Sequence, residues 1–135
     1  MDLQVGVKIV IVRDGKVLVL KRSSDKYQDI KTDRWDLPGG RINPGAPLLE
    51  NLKREVMEET KMQVVGEPKL IAAQDILKSD KHVVRLTYIG KADGEPVLDE
   101  EHEDFKWMSV EDLKNLGDSL DVYFKELLDK VRNEV

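Results

Sequence analysis

The chain has 135 residues, a length that fits one domain able to bury a core without disulfide bonds. Hydrophobic residues make up 40% and charged residues 36% of it, as in ordinary folded proteins. It contains no cysteine, which excludes a disulfide scaffold, thiol catalysis and cysteine-bound zinc or iron. The net charge of −5 disfavours nucleic-acid binding, because proteins that neutralise phosphates usually carry a positive balance.

The N-terminal segment MDLQVGVKIVIV has no positively charged stretch before its apolar run and no small-residue cleavage site. The apolar stretches of the chain are far shorter than the ~20 residues that a membrane-spanning helix needs. The sequence therefore predicts no signal peptide and no membrane partner. Together with the lack of cysteine, this favours a cytoplasmic protein.

The first predicted elements are two strands, residues 5–12 and 17–22, rich in Val, Ile and Leu. Asp14 and Gly15 lie between them, and this pair is a strong hairpin signal because the turn needs positive φ. Residues 23–34 are polar and aperiodic and are predicted to form a long loop. Loops of that length in a compact domain are more often functional than idle.

A helix is predicted over residues 47–60, with Pro47 at its first position. Its apolar side chains recur on one side; they are Leu48, Leu49, Leu52 and Val56. The pattern that follows predicts strands over residues 62–65, 69–75, 82–91 and 104–108, with turns at 66–68 and 93–94.

Two C-terminal helices complete the prediction. Ser109, with an acid at the third helical position, begins a short helix that ends near Gly117. A final amphipathic helix is expected over residues 119–133. Its buried stripe consists of Leu120, Phe124, Leu127, Leu128 and Val131. Strands interleaved with a few helices predict a mixed α/β fold.

Three glutamates on the first predicted helix point to metal chemistry. Glu55, Glu58 and Glu59 are spaced three and four residues apart, so they project from one arc about 100° wide. Like charges at this spacing repel. A hard divalent cation turns the repulsion into attraction, because Mg²⁺ prefers carboxylate oxygens and water. A solvated acidic helix face has the same pattern, so the glutamates alone leave both interpretations open.

The sequence before the helix favours the metal interpretation. With its Leu-Pro-Gly-Gly lead-in, the stretch from Gly40 to Met62 resembles the Nudix box, the signature of the Nudix hydrolase family. The family pattern is Gly, five residues, Glu, seven residues, then Arg-Glu-apolar-any-Glu-Glu-any-Gly-apolar. The matching positions are Gly40, Arg54, Glu55, Val56, Glu58, Glu59 and Met62.

Two positions depart from the family pattern. Ala46 stands where the family has glutamate, and Lys61 stands where it has glycine. In relatives that glutamate supports the metal site or the arginine network, so its loss could lower activity or metal affinity. Lys61 is expected to alter only the helix exit, where glycine adopts positive φ easily.

The resemblance implies a single Nudix domain over residues 1–135, an α/β/α sandwich with a mixed sheet between helices. It implies hydrolysis of a phosphoanhydride bond in a nucleoside diphosphate derivative with Mg²⁺ or Mn²⁺. A nucleoside triphosphate pyrophosphatase, acting on oxidised nucleotides among others, fits the compact chain best. An ADP-ribose or nucleotide-sugar pyrophosphatase comes second, and a catalytically weak nucleotide-binding domain third. Many relatives are homodimers, and the resemblance extends that expectation to this chain.

The resemblance also assigns roles within the box. Glu58 and Glu59 are expected to bind the metal, and the Gly40 carbonyl to complete its coordination. Glu55 is either a further ligand or the base that takes a proton from water. Arg54 is expected to orient Glu55.

Candidates outside the box carry weaker signals. Many relatives take one more carboxylate, a metal ligand or a base, from the part of the chain that corresponds to the acidic stretch 99–104. In this stretch the candidate is Glu103 or Glu101, although for any single residue a solvated acidic loop is the favoured interpretation. Arg22 ends the second strand and could contact substrate phosphates, or lie on the surface. Trp35 could line the substrate pocket, although a tryptophan before a buried strand is more often core.

Three further residues are weaker candidates still. Tyr27 lies in the long loop, where it could stack on a base. His82 and His102 lack metal-ligand spacing and are interpreted as incidental.

Overall fold

The computed structural model describes residues 1–23 and 34–135. The predicted long loop, with Tyr27, falls almost entirely outside them. The strands are β1 (Asp2–Arg13), β2 (Lys16–Arg22), β3 (Trp35–Asp36), β4 (Gly39–Arg41), β5 (Gln63–Leu77), β6 (Lys81–Asp93) and β7 (His102–Met108). The helices are α1 (Leu48–Thr60), α2 (Val110–Asn115), α3 (Val122–Lys125) and α4 (Leu128–Arg132), with a 3₁₀ turn at Gly117–Ser119.

The strands form one mixed sheet in the order β3-β2-β1-β6-β5, with β4 also paired to β1 and β7 to β2. β1 runs parallel to β6 from the pair Asp2–Lys81 to the pair Ile11–Gly90. The other pairings are antiparallel. The mixed sheet predicted for the chain is therefore confirmed, and β1 is its centre.

The predicted hairpin is also confirmed. Val12 pairs with Val17, and Arg13 pairs with Lys16. The two residues between them, Asp14 and Gly15, have φ values of 53° and 75°. Two successive positive φ values are what a tight two-residue hairpin requires.

The core lies on both faces of the sheet, because successive side chains of a strand point to opposite faces. On one face, Leu52 and Val56 of α1 belong to the same buried cluster as Ile9 of β1. On the other face, Val10 clusters with the C-terminal helices, including Phe124. The sheet is thus held between α1 and the C-terminal helices, which confirms the predicted sandwich.

The turn predicted at residues 66–68 is wrong. β5 continues from Gln63 to Leu77, and its register with β6 shifts between Val65 and Lys69. Gly66, with φ of 69°, lies within that irregularity. Because β5 is an edge strand, a glycine and a proline can be accommodated in a bulge instead of ending the strand.

The single helix predicted over residues 119–133 is also wrong. The chain forms the 3₁₀ turn and then two short helices, and the Asp121 side chain caps α3 by accepting a hydrogen bond from Phe124 N at 3.0 Å. The predicted stripe is nevertheless buried, from Leu120 to Val131. The apolar pattern therefore identified the buried face, and the cap at Asp121 decides where the helix starts.

The ends of α1 differ in how well they were predicted. The helix begins at Leu48, one residue later than predicted. Pro47 is its N-cap, in an extended conformation, and not its first helical residue. At the other end Lys61 has a φ of 60° and its N–H donates to Met57 O at 3.0 Å. Lys61 thus adopts the left-handed conformation expected for the family's glycine.

No helix among residues 1–23 and 34–135 has the length and apolar character needed to cross a membrane.

Substituting Lys61 by glycine should stabilise the protein. A residue with a Cβ pays roughly 1–2 kcal/mol in the left-handed conformation, and part of the gain is offset because glycine has more freedom when unfolded. We expect Lys61→Gly to raise the free energy of unfolding by about 0.5–1 kcal/mol in urea denaturation. Lys61→Ala is the control. Like the glycine variant, it loses the hydrogen bond from Lys61 Nζ to Glu58 O, but it keeps a Cβ atom. A less stable glycine variant would contradict the prediction.

Candidate active site

Two glycines bring the backbone against the carboxylates of α1. Gly39 has a φ of 137°, and a Cβ there would lie 2.0 Å from Val7 O, so only glycine fits. Its N–H donates to Glu59 Oε1 at 2.8 Å. At Gly40 a Cβ would lie 3.0 Å from Glu55 Oε2. The glycine turn therefore forms a close seat for two helix carboxylates.

Both carboxylates are poorly solvated. Glu59 is 8% exposed, and burial raises its pKa to about 7 despite the opposing charge of Lys8 and the Gly39 N–H. Burial also raises the pKa of Glu55, against the influence of Arg54. The negative charge of Glu55 raises the pKa of Glu59 further, and that of Glu58 raises the pKa of Glu55, both as smaller effects than burial. The positive charge near the two carboxylates is too small to compensate their negative charges. Such an environment favours the binding of a cation.

Arg54 lies beside these carboxylates and contacts three side chains of α1. It donates to Glu58 Oε1 at 2.8 Å, to Glu55 Oε1 at 3.1 Å and to Asn51 Oδ1 at 3.1 Å. The hydrogen bond to Glu58 is the main reason why the pKa of Arg54 is raised. The contact with Glu55 is the one that the predicted orienting role requires. Glu58 points to Arg54 and is 55% exposed.

The predicted metal residues are thus only partly assembled. Glu55 and Glu59 lie at the glycine turn, whereas Glu58 is paired with Arg54 and is more exposed. Within the described ranges, no three Asp, Glu or His side chains are grouped closely enough to hold a metal. The donor set is carboxylate and carbonyl oxygen, which Mg²⁺ and Mn²⁺ prefer, and the raised pKa values show that a positive charge would be stabilising. The chemistry of these residues therefore fits a divalent cation.

Lys8 is a site residue that sequence reasoning missed. It lies in the middle of β1 and is 8% exposed. Its Nζ donates to Leu37 O at 3.1 Å and lies 3.2 Å from Asp36 Oδ2. Its charge also favours the ionised form of Glu59. The signal was present, since a lysine within an apolar strand must find partners inside the protein.

Asn51 was missed as well. It is 1% exposed on the buried side of α1. Its Oδ1 accepts from Asn43 N at 3.1 Å, and its Nδ2 donates to Arg41 O at 3.3 Å. Because it also accepts from Arg54, Asn51 fixes the segment after the glycine turn to the carboxylate helix. The sequence could have indicated this role, because Asn51 is a polar residue among the apolar positions of the helix.

A cavity of about 520 Å³ opens next to this segment. Among the residues that the structure describes, its lining has five basic and two acidic side chains: Arg22, Arg34, Arg41, Lys78, Arg85, Asp36 and Asp121. Partial burial, followed by repulsion from Arg85 and Arg22, lowers the pKa of Arg41. The Nε atom of Arg34 is buried without a hydrogen-bond partner among the described residues. The excess of positive charge suits an anionic ligand.

The cavity is connected to the carboxylates by a chain of opposite charges. Asp36 lines the cavity and pairs with Lys8, whose charge acts on Glu59. Burial raises the pKa of Asp36, but the charges of Lys8 and Arg85 and the hydrogen bonds from Leu37 N and Lys8 together lower it. Arg41 follows Gly40 directly in the chain. The glycine turn therefore has the carboxylates on one side and begins the cavity on the other.

The remaining predicted residues lie in three different environments. Arg22 lines the cavity, as its predicted contact with phosphates requires. Trp35 is 7% exposed in the core, with Lys106 Nζ 5.1 Å from the ring centroid. Its packing favours the core interpretation, and a contact with substrate stays a prediction. Glu103 is exposed on β7.

The acidic stretch before β7 contacts the end of α1. Asp99 N donates to Glu59 O at 3.3 Å, and Glu101 O accepts from Ser23 N at 2.8 Å. His102 Nδ1 lies 2.8 Å from Asp99 Oδ1, and His82 Nε2 lies 2.7 Å from Asp75 Oδ1. The stretch thus lies beside the carboxylates, while the role predicted for Glu101 or Glu103 stays a prediction.

Replacing Glu59 with glutamine should stabilise the metal-free protein at high pH. The folded pKa of about 7 exceeds the ordinary value of 4.5, so the unfolded chain ionises first as pH rises. The wild type consequently loses stability between these values, by up to about 3 kcal/mol. We expect Glu59→Gln and wild type to have similar melting temperatures below pH 4.5, and the variant to melt higher at pH 8 in EDTA.

Glu50→Gln serves as the control, because Glu50 is an exposed acid on the first turn of the same helix. It should leave the pH dependence unchanged. Equal melting temperatures for Glu59→Gln and wild type at pH 8 would show that Glu59 is not destabilised by burial.

Comparisons with known proteins identify the family of the chain. The model of the NUDIX domain family matches residues 2–128. The nucleoside triphosphatase NudI of an Escherichia coli strain is 28% identical over 115 residues, which cover 77% of this chain and 80% of that protein.

Solved structures with the same fold include two proteins described as MutT. The MutT Nudix hydrolase of Burkholderia pseudomallei superposes with a TM-score of 0.82 and 26% identity, over 97% of this chain and 99% of that one. The MutT protein of Methanosarcina mazei Go1 gives a TM-score of 0.82 and 28% identity, over 98% and 95% of the two chains. Since the family model spans nearly all of the sequence and the sandwich is shared, the chain belongs to the Nudix family and is a Nudix hydrolase.

Proposed function

We propose that the protein hydrolyses nucleoside triphosphates to a nucleoside monophosphate and pyrophosphate, with Mg²⁺ or Mn²⁺ as cofactor. The observation that carries the proposal is the position of the half-buried Glu55 and the buried Glu59 at the glycine turn, which is followed by Arg41 in the lining of a positively charged cavity. Hydrolysis of a triphosphate needs both parts. The cavity would bind the anionic phosphate chain, and the carboxylate site would expose one phosphorus to water. The names of the NudI and MutT relatives support this substrate class.

The carboxylates of Glu55, Glu58 and Glu59 and the Gly40 carbonyl would hold the cation. When bound, the cation neutralises charge on the phosphates and helps to activate water. Binding requires Glu59 to release its proton, because its pKa is raised to about 7. The affinity for the cation should therefore increase from pH 6 to pH 8.

The arginines of the cavity would hold the phosphate chain. Arg41 follows the glycine turn, and Arg22 lies at the end of β2 on the same cavity. Guanidinium groups bind phosphate oxygens through paired hydrogen bonds. Holding the chain in this way aligns one phosphorus with the attacking water, and such positioning supplies a large part of phosphoryl-transfer catalysis.

The reaction forms a bond from the water oxygen to one phosphorus and breaks the bond to the bridging oxygen. The bridging oxygen leaves with its electron pair on the other phosphate, and a proton of the water passes to a base. Glu55 is close to Arg54 and to the glycine turn, so it can serve as that base or as a ligand of the cation. The two roles predict different kinetics.

The proposed activity can be tested with a turnover screen. The panel contains canonical and oxidised nucleoside triphosphates, ADP-ribose, nucleotide sugars and dinucleoside polyphosphates, each with Mg²⁺ and then Mn²⁺. We expect triphosphate hydrolysis, reduced at least a hundredfold in Glu59→Gln and unchanged in Glu50→Gln. Hydrolysis of ADP-ribose or sugar nucleotides alone would overturn the substrate class. Nucleotide binding without turnover would instead support a nucleotide-binding domain weakened at Ala46.

The Glu55→Gln variant separates the two roles of Glu55. If Glu55 is the base, kcat should fall by about 10²–10⁴-fold while the Mg²⁺ concentration for half-maximal rate stays the same. If Glu55 is a ligand, that concentration should rise. Steady-state rates over a Mg²⁺ titration at pH 8 distinguish these results, and unchanged rates would exclude both roles.

A further inference from the structure

Asn51 is a buried polar residue at the junction of two parts of the site. It lies on α1 and is 1% exposed. Its side-chain amide has one acceptor oxygen and two N–H donors, and leaving such groups unpaired inside a protein is costly. The partners of this amide therefore indicate what the residue does.

The amide joins α1 to the chain that follows the glycine turn. Its Oδ1 accepts from Asn43 N at 3.1 Å, and its Nδ2 donates to Arg41 O at 3.3 Å. The next residues form a tight turn, in which Ala46 N donates to Asn43 O at 2.9 Å. The side chain of Ala46 is a methyl group and forms no hydrogen bond. Asn51 thus supplies the side-chain hydrogen bonds that tie this segment to α1.

The same oxygen of Asn51 also holds Arg54. It accepts from Arg54 Nη2 at 3.1 Å, and this Nη2 donates to Glu55 Oε1 at 3.1 Å as well. The Arg54 side chain is 39% exposed, and a long exposed side chain keeps one orientation only if a partner fixes it. Glu58, which accepts from Nη1, is itself 55% exposed. Buried Asn51 is therefore the rigid partner that keeps Nη2 beside Glu55.

Arg41 is constrained by Asn51 from the other side. It lines the cavity, where partial burial and then repulsion from Arg85 and Arg22 lower its pKa. Its Nε donates to Gln4 Oε1 at 3.0 Å. The hydrogen bond from Asn51 Nδ2 to its carbonyl fixes the backbone at the edge of the cavity. The guanidinium consequently stays close to positive charges that repel it.

We propose that Asn51 is a positioning residue that aligns both parts of the site at once. Through Arg54 Nη2 it orients Glu55, and through the Arg41 carbonyl it keeps the Arg41 guanidinium at the cavity. The proposal rests on the proposed function, because these are the residues that would act on the water and on the phosphate chain. The competing explanation is that Asn51 only stabilises the fold. That explanation predicts variants with lower melting temperatures but unchanged kinetics.

Two substitutions separate the contacts of Asn51. Asn51→Asp has almost the same shape and keeps an acceptor for Arg54 and for Asn43 N. It faces Arg41 O with a second acceptor instead of a donor, so this contact becomes repulsive. Asn51→Leu has a similar volume and removes the hydrogen bonds to Arg41, Asn43 and Arg54 together.

Steady-state kinetics with the triphosphate that is hydrolysed fastest distinguish these contacts. In Asn51→Asp we expect KM to rise by about fivefold or more, as the loss of one hydrogen bond implies, with kcat within about twofold of wild type. In Asn51→Leu kcat should also fall by about tenfold or more, because Glu55 is no longer oriented. Equal losses of kcat in the two variants, or unchanged kcat and KM in both, would overturn the proposal.

A binding measurement provides a readout without turnover. Calorimetry with inorganic tripolyphosphate in EDTA should show binding weaker than wild type by about fivefold or more in Asn51→Asp and in Asn51→Leu. Because Asn51→Leu is neutral, its weaker binding is not an effect of added charge. Asn115→Asp is the matched control, since Asn115 is exposed at the end of α2, and it should bind as wild type does. Equal affinities in all these proteins would contradict the role at Arg41.

The two readouts keep the proposal separate from the proposed function. If Asn51→Leu does not fold, the smaller neutral variant Asn51→Ser replaces it. A protein that hydrolyses no nucleotide, but binds tripolyphosphate more weakly in both Asn51 variants, supports the inference and overturns the proposed function. A protein that hydrolyses triphosphates with the same kcat and KM in every variant does the opposite.

Discussion

The site depends on the hydrogen bond from Gly39 N to the buried carboxylate of Glu59. The bond forms only because the backbone at Gly39 approaches β1 so closely that no side chain fits there. It joins the short strand β4 to the helix α1, and both elements pack on the central strand. The positions of both elements therefore determine where the two carboxylates lie relative to the glycine turn.

A buried carboxylate is costly unless other groups compensate its charge. Here compensation is incomplete, as the raised pKa of Glu59 shows, and Lys8 is shared between Glu59 and Asp36. The same lysine therefore belongs to the carboxylate site and to the charged wall of the cavity. Partial compensation is useful in an enzyme, because a fully neutralised carboxylate pair would have little affinity for a cation.

Much of this arrangement could be predicted from the sequence, because it depends on local patterns. The Asp-Gly hairpin, the carboxylate helix and the Ser109 cap each require only neighbouring residues. The continuity of β5 and the break before α3 could not be read locally. Gly66 and Pro68 usually mark a turn, and only an edge position with a free side makes them compatible with a strand.

The parts of the site that were missed come from residues distant in the chain. Lys8, Asp36, Arg85 and Asp121 form a chain of charged pairs, although they are 28 to 113 positions apart in the sequence. No periodic pattern relates such residues. A charged residue in an apolar strand indicates that a partner exists, but only the topology of the sheet identifies it.

The parallel pairing of β1 with β6 has a consequence for how the protein is made. The first strand synthesised finds its parallel partner about 80 residues later, since Asp2 pairs with Lys81. Until that partner leaves the ribosome, β1 can pair only with its antiparallel neighbours, so one edge of a strongly apolar strand stays open. Closing so long a loop is slow, and unpaired apolar edges invite aggregation. The strand that carries Lys8 is thus among the first to be made and among the last to be enclosed.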